Sequence, residues 1–247
     1  MKGIILAGGT GSRLFPLTKI TNKHLLPVGR YPMIYHAIAK LDEAGIHDIL
    51  IVTGKEHMGD VVNLLGSGSE FGLSFTYKVQ DEAGGIAQAL GMAEHFVQND
   101  RMVVILGDNV FADSIVGFVH NFEMQPTGAK ILIQEVSDPQ RYGVPELSGE
   151  RIVSIEEKPI HPKSDYAVTG IYMYDNRVFD IIRSLKPSNR GELEITDVNN
   201  AYIEANGLTY EILQNWWTDA GTHTSYNRAN ELAKNVIYDK KFGSLKM

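Results

Sequence analysis

The chain has 247 residues, 43% hydrophobic and 21% charged, enough to bury the core of one globular domain or of two closely joined halves. Its formal net charge of −7 argues against a nucleic-acid polymer as partner, since such partners select basic surfaces. No cysteine is present, which excludes disulfides and thiolate metal sites. No run has the length of a membrane span or the form of a signal peptide, so a cytoplasmic protein with no membrane partner is expected.

Residues 4–7 form an apolar run that reads as a strand and leads into Gly8-Gly9-Thr10-Gly11-Ser12-Arg13-Leu14. Gly8, Gly9 and Gly11 keep side chains away from an approaching phosphate and permit the positive φ of an anion-cradling loop. Arg13 and Lys23 can then supply mobile positive charge. A P-loop is excluded by spacing, and the dinucleotide fingerprint that starts at Gly9 and Gly11 meets Leu14 where its third glycine belongs. A glycine loop that merely turns the chain fits these four residues equally well.

Residues 32–44 place Ile34, Ala37, Ile38 and Leu41 on one helical face and stop at Gly45. Strands are expected at 49–53, 73–79 and 102–106, with a helix over 86–97 between the last two. Gln80 ends one of these strands, and its amide offers the donor and acceptor that a pyrimidine imide edge requires, while Gly85 allows close backbone approach to a base. Uracil and thymine share that edge and differ by one methyl, worth only about 1 kcal/mol. Asp108 follows the strand at 102–106 through Gly107, where a carboxylate can reach a ligand crevice or simply cap a turn.

The second half is less regular. Strands are expected at 129–136, 152–155 and 166–174, and helices at 176–185, 196–204 and 222–235. Glu156-Glu157-Lys158-Pro159 ends a strand, where a solvated charge run is the simpler reading; Glu157 and Lys158 can both point into a site only if the strand breaks there, which Pro159 makes plausible. Asp219, in Trp216-Trp217-Thr218-Asp219-Ala220-Gly221-Thr222, can partner Asp108 on a divalent metal or cap the last helix. Strands separated by helices imply an α/β fold, a Rossmann-like, mainly parallel mixed sheet flanked by helices.

Gly8 to Leu14 followed by Lys23-His24-Leu25-Leu26-Pro27 resembles the signature of the sugar-1-phosphate nucleotidyltransferases. Leu106-Gly107-Asp108-Asn109, Arg141-Tyr142-Gly143-Val144, Glu156 to Pro159, Ala167 to Tyr172, Arg190 to Asp197 and Trp217 to Thr222 extend the likeness over nearly the whole chain. The resemblance implies the nucleotide-diphospho-sugar transferase type of fold. Within one such domain it implies a nucleotide-binding half of about residues 1–125, a sugar-phosphate half of about 126–221 and a C-terminal helix over about 222–247. It implies Mg²⁺-dependent condensation of glucose 1-phosphate with dTTP to dTDP-glucose and pyrophosphate, serving dTDP-rhamnose and polysaccharide biosynthesis, by a homo-oligomer, a tetramer.

The same resemblance assigns residues to roles. Leu6, Ala7, Gly8, Gly9, Gly11, Ser12, Arg13, Lys23, His24, Gln80, Gly85 and Asp108 would meet the nucleotide, although close relatives often carry Gln in place of His24. Asn109, Tyr142, Gly143, Glu157, Lys158, Val168, Thr169 and Arg190 would meet the sugar phosphate. Asp108 and Asp219 would hold the metal, and Arg13, Lys23, Asp108, Lys158 and Asp219 would be catalytic. Longer relatives add C-terminal helices after the point where this sequence stops at Met247, so feedback regulation is expected to be weak or differently built. Two other readings stand beside this one. A Rossmann oxidoreductase would need a ribose-binding acid where Thr53-Gly54 stands. A catalytically silent sugar-nucleotide-binding subunit would not need the whole charged set.

Overall fold

The computed structural model describes residues 1–243. In chain order its elements begin with β1 (Lys2–Ala7), β2 (Pro27–Val28), β3 (Tyr31–Pro32), α1 (Met33–Glu43), β4 (Asp48–Gly54), α2 (Met58–Leu65) and β5 (Ser74–Gln80). There follow α3 (Ile86–Gly91), α4 (Glu94–Val97), β6 (Met102–Leu106), β7 (Asn109–Phe111), α5 (Val116–Glu123), β8 (Ala129–Glu135), β9 (Gly143–Ser148) and β10 (Arg151–Glu157). The last are β11 (Tyr166–Tyr174), α6 (Val178–Ser184), α7 (Ile195–Glu204), β12 (Leu208–Ile212), β13 (Trp217–Asp219) and α8 (His223–Ala233). Of the helical segment expected over 222–247, residues 244–247 lie outside the described residues. Among the described residues no helix is long and apolar enough to cross a membrane.

Two compact units interleave along the chain. One comprises residues 2–83, 105–115 and the described residues from 215; the other comprises residue 1, 84–104 and 116–214. The fold is α/β, with mostly parallel strands flanked by helices.

In the first unit β1, β4 and β5 are parallel neighbours in that order, with Ala7 opposite Thr53 and Gly54 opposite Gln80. The end of β6 lies on the other side of β1, and the Gly107 N–H donates to the Leu6 carbonyl at 2.9 Å. Strands covered on both faces need apolar residues at nearly every position, which is why β1, β4 and β6 read as apolar runs, whereas the edge strand β5 is exposed at Ser74 and Thr76. Leu14, Leu26, Val28 and Met33 share a buried cluster with Val110 on β7, Ala220, and Ala229 and Ala233 on α8. Leu14 thus stands in the third-glycine position as a core anchor for the glycine loop.

β7 and β13 form a short antiparallel ladder in this unit, with Asp219 opposite Asn109 and Trp217 opposite Phe111. The α8 cap is a capping box in which Thr222 accepts from the Ser225 N–H and Ser225 Oγ accepts from the Thr222 N–H. Asp219 is therefore not required as the helix cap. Beyond α8 the chain returns to α1. The His36 Nε2–H donates to the Val28 carbonyl at 3.0 Å and Nδ1 accepts from the Tyr238 hydroxyl at 2.8 Å.

In the second unit the start of β6, β11, β8 and β12 are neighbours in that order. β11 runs antiparallel to β8 and β12 parallel to it, which makes the sheet mixed. β9 and β10 form a separate hairpin, and Asn200 on α7 holds β10 by both sides of one residue. Its Nδ2 donates to the Ile155 carbonyl and its Oδ1 accepts from the Ile155 N–H, each at 2.9 Å. Arg101 gathers the carbonyls of Phe122 and Glu123 in the last turn of α5 and of Gln125 and Pro126 just beyond it.

The single helix expected over 86–97 is two helices, α3 and α4. Gly91 ends α3, where glycine carries a helix cost of about 1 kcal/mol relative to alanine. A Cβ there would lie 3.2 Å from Ile182 Cγ2, so the residue that weakens the helix also lets α6 pack close.

Candidate active site

The first unit gathers the glycine loop and both aspartates. Gly11 has φ +62 at the entry to a 3-10 turn over Ser12–Leu14, and a Cβ there would lie 2.8 Å from Thr18 Cγ2. Backbone conformation and packing both demand glycine. A Cβ on Gly8 would lie 2.5 Å from Gln80 Oε1, so the loop runs directly beside the Gln80 amide. Leu6 and Ala7 are buried at the end of β1, and Gly9, Ser12 and Arg13 are exposed.

Lys23 Nζ donates to Asp108 Oδ2 at 2.6 Å. Burial pushes the Asp108 carboxyl up, but the Lys23 ammonium and the Asn109 amide outweigh it and hold the group well below the usual carboxylate range. The β7–β13 ladder brings in Asp219, and the Ala220 N–H donates to the Asp108 carbonyl at 2.7 Å. A Cβ placed on Gly221 would lie 3.1 Å from Arg13 Nη2, 3.3 Å from Asp219 Oδ2 and 3.5 Å from Asp108 Oδ2. Two carboxylate oxygens and a guanidinium therefore surround one bare backbone position.

His24 is 1% exposed, and Asn22 Oδ1 accepts from both its backbone N–H at 2.9 Å and its Nδ1 at 2.7 Å. Burial, and then the Lys23 charge, lower its pKa to about 3, so the ring is neutral. A Cβ on Gly107 would lie 2.8 Å from its Cδ2. The ring packs beneath the Gly107 backbone. Asn109 is also buried, with its amide directed at Trp217 and Asp108.

The second unit holds the other charged cluster. Lys158 follows β10 with φ +48, and its N–H donates to the Tyr142 carbonyl at 2.9 Å. This is the strand break that Pro159 favours. It places Lys158 Nζ 3.2 Å from Glu157 Oε1, on the same side. Arg190 donates to Glu194 through Nε at 3.1 Å and Nη2 at 2.7 Å, and its Nη2 lies 3.6 Å from Glu157 Oε1. Thr196 Oγ1 donates to Glu157 Oε2 at 2.8 Å.

Gly143 lies over this cluster, since a Cβ there would be 3.4 Å from Thr196 Oγ1 and 3.5 Å from Glu157 Oε2. Tyr142 faces Arg141, whose guanidinium carbon is 5.0 Å from the ring centre. Val168 and Thr169 lie where the β11–β8 register shifts, and Thr169 Oγ1 donates to the Leu132 carbonyl at 2.8 Å. Gly85, with φ +100, packs against the Leu193 carbonyl, and Leu193 N–H donates to the Gly84 carbonyl at 2.8 Å. Glu194, Thr196, Asn22 and Trp217 were not singled out from the sequence. Glu194, Thr196 and Trp217 fall within segments that carry the family likeness, but their targets are distant in sequence or hidden by the turn before α7.

The α/β fold thus brings a glycine loop together with Arg13, Asp108 and Asp219 around Gly221, and sets Lys23 on Asp108. The chain belongs to the nucleotidyl transferase family, whose profile matches residues 2–236. It is 47% identical over 240 residues to a glucose-1-phosphate thymidylyltransferase of Neisseria meningitidis, covering 96% of this chain and 83% of that protein. A crystal structure from Bacillus anthracis, provisionally named a glucose-1-phosphate thymidylyltransferase and complexed with sucrose, is 65% identical with a TM-score of 0.96, covering 98% of this chain and 99% of that one. A UDP-glucose pyrophosphorylase complexed with UDP-glucose is 25% identical with a TM-score of 0.83, covering 94% and 97% of the respective chains. The fold is that of the nucleotide-diphospho-sugar transferases.

Proposed function

We propose that the chain condenses glucose 1-phosphate with dTTP to give dTDP-glucose and pyrophosphate. The names of its relatives support this reading, and the arrangement of Arg13, Lys23, Asp108 and Asp219 carries it. A phosphate oxygen of glucose 1-phosphate attacks the α-phosphorus, a new P–O bond forms, and the bond to the bridging oxygen breaks as pyrophosphate departs. The nucleophile is already an anion near neutral pH, so no side chain becomes covalent and no strong base is required. The residues position two anionic substrates and neutralise charge.

The backbone from Leu6 to Ser12 cradles the triphosphate, Arg13 neutralises the departing pyrophosphate, and Lys23 serves the reacting phosphates. Gln80 and Gly85 read the base. Lys158 and Arg190 hold the sugar phosphate, Glu157 accepts from the hexose hydroxyls, and Tyr142, Gly143, Val168 and Thr169 frame the sugar. Two carboxylates suit a hard divalent cation that keeps waters and substrate oxygens as its other ligands, and Oδ2 of Asp219 and of Asp108, the latter paired with Lys23 Nζ, both lie near Gly221. These carboxylates would hold Mg²⁺, which when bound supplies charge neutralisation at the triphosphate.

The test is pyrophosphate release from glucose 1-phosphate and Mg²⁺ with dTTP, UTP, CTP, ATP and GTP offered separately. Preference for dTTP, with UTP second, supports the reading. No release with any nucleotide from folded protein transfers it to the silent-binder alternative. Asp108→Asn and Asp219→Asn are each expected to lose on the order of 100-fold in turnover; near-normal turnover at saturating Mg²⁺ removes that aspartate from the metal site. The same reading includes a homo-oligomer in the cytoplasm supplying dTDP-sugars, and a monomer by sedimentation would correct its oligomeric part.

A further inference from the structure

Asn109 stands at the start of β7, immediately after Asp108, and is 2% exposed. The Trp217 indole Nε1–H donates to its Oδ1 at 2.6 Å, and its Nδ2 donates to Asp108 Oδ1 at 3.1 Å. The ladder explains the contact. Asn109 is opposite Asp219, and Trp217 lies two residues before Asp219, so all three side chains project from one face and the indole reaches Asn109 diagonally.

The two ends of an amide have similar shapes but opposite hydrogen-bonding roles. Its oxygen accepts and its nitrogen donates, whereas an indole nitrogen only donates and an ionised carboxylate only accepts. Trp217 therefore admits only the oxygen end of Asn109 and turns the nitrogen end toward Asp108. The reversed amide would set donor against donor at the indole and acceptor against acceptor at the carboxylate, in a buried place where unmade hydrogen bonds are costly.

We infer that Trp217 and Asn109 form a positioning relay that fixes Oδ1 of Asp108 and so presents its Oδ2, which accepts from Lys23 Nζ at 2.6 Å, to a divalent cation shared with Asp219. This rests on Asp108 being the metal carboxylate of the proposed function. Neither relay residue touches the cation in this assignment. Groups that orient a metal ligand typically govern affinity by about 10- to 100-fold.

Binding of Mn²⁺ to the whole protein, read from the electron paramagnetic resonance signal of the free ion, tests the relay without turnover. Trp217→Phe keeps an aromatic ring and removes the N–H, and it is expected to weaken Mn²⁺ binding about 10-fold while circular dichroism remains native. Asn109→Leu should weaken it to a similar degree, and the double variant little further, because both changes break one relay. Unchanged Mn²⁺ affinity in folded Trp217→Phe, with binding lost in Asp108→Asn, overturns the relay and leaves the metal reading intact. Unchanged affinity in Asp108→Asn overturns the metal reading itself. If Trp217→Phe does not fold, Asn109→Leu decides by the same criterion.

Discussion

Lys23 Nζ lies 2.6 Å from Asp108 Oδ2, and the two side chains are only 13% and 14% exposed. The carboxylate that the proposed reaction assigns to a metal thus already has a cation beside it. Removing one member of such a pair leaves the other charge poorly compensated. Lys23→Met is expected to destabilise the protein by about 2 kcal/mol, reduced from the fully buried case by residual exposure. Mg²⁺ should raise the thermal midpoint of this variant more than that of the original chain, because the ion replaces the missing charge. An equal Mg²⁺ response in the two proteins would contradict that coupling.

Glu157 is held by Thr196 and lies beside Lys158 and Arg190. Glu157→Gln is expected to reduce discrimination among hexose 1-phosphates about 10-fold, with little change in the KM for dTTP. Thr196→Val should move discrimination in the same direction by a smaller factor, and Thr196→Ser should restore it. Competition between glucose 1-phosphate and its epimers measures the effect, and unchanged ratios would remove Glu157 from sugar selection.

His36 gives the fold a calculable acid sensitivity. Burial lowers its pKa from 6.5 to about 4. Between these values the unfolded chain binds the proton and the folded chain does not, so stability rises with pH through that window. The contribution is complete above about pH 6.5 and is lost as pH falls toward 4, amounting to about 3 kcal/mol. Urea unfolding of His36→Gln at pH 4.5 and 7 should show a smaller difference than the original chain. Part of the slope will persist, since His24 is lowered in the same direction.

Arg101 donates to four carbonyls at the C-terminal end of α5 and just beyond it, and its guanidinium carbon lies 5.4 Å from the Phe122 ring centre. Arg101→Ala leaves several of those carbonyls in need of other partners and should cost about 2 kcal/mol in urea unfolding. Arg101→Lys should recover only part of this, because an ammonium lacks the planar fork that reaches several acceptors together.

The strands that carry the glycine loop and Gly107 were legible because burial on both faces leaves unbroken apolar runs such as Met102 to Leu106, while the edge strand that carries Gln80 was legible from its β-branched and aromatic residues. β7 and β13 were not, since three residues are too few to establish an alternation, yet their pairing brings Asp219 opposite Asn109. For Glu157 and Lys158, Pro159 makes a strand break plausible, but the letters alone fit a solvated charge run and only the family resemblance ties the two to a sugar phosphate. The holds of Thr196 on Glu157 and of Trp217 on Asn109 join residues 39 and 108 positions apart, and no local periodicity encodes them. His24 enters the nucleotide set through resemblance alone, at a position where close relatives often carry Gln, and its ring is buried against Gly107.

The Asn200 amide does for Ile155 what a neighbouring strand would do, accepting its N–H and donating to its carbonyl. A two-stranded ribbon leaves rows of unused peptide groups on its outer sides, and such rows invite another chain to add itself. At Ile155 a side chain imitates the incoming peptide and takes its place. The helix that supports the proposed sugar-phosphate cluster thereby also blocks β10, at its middle, as a template for stacking between copies of the chain.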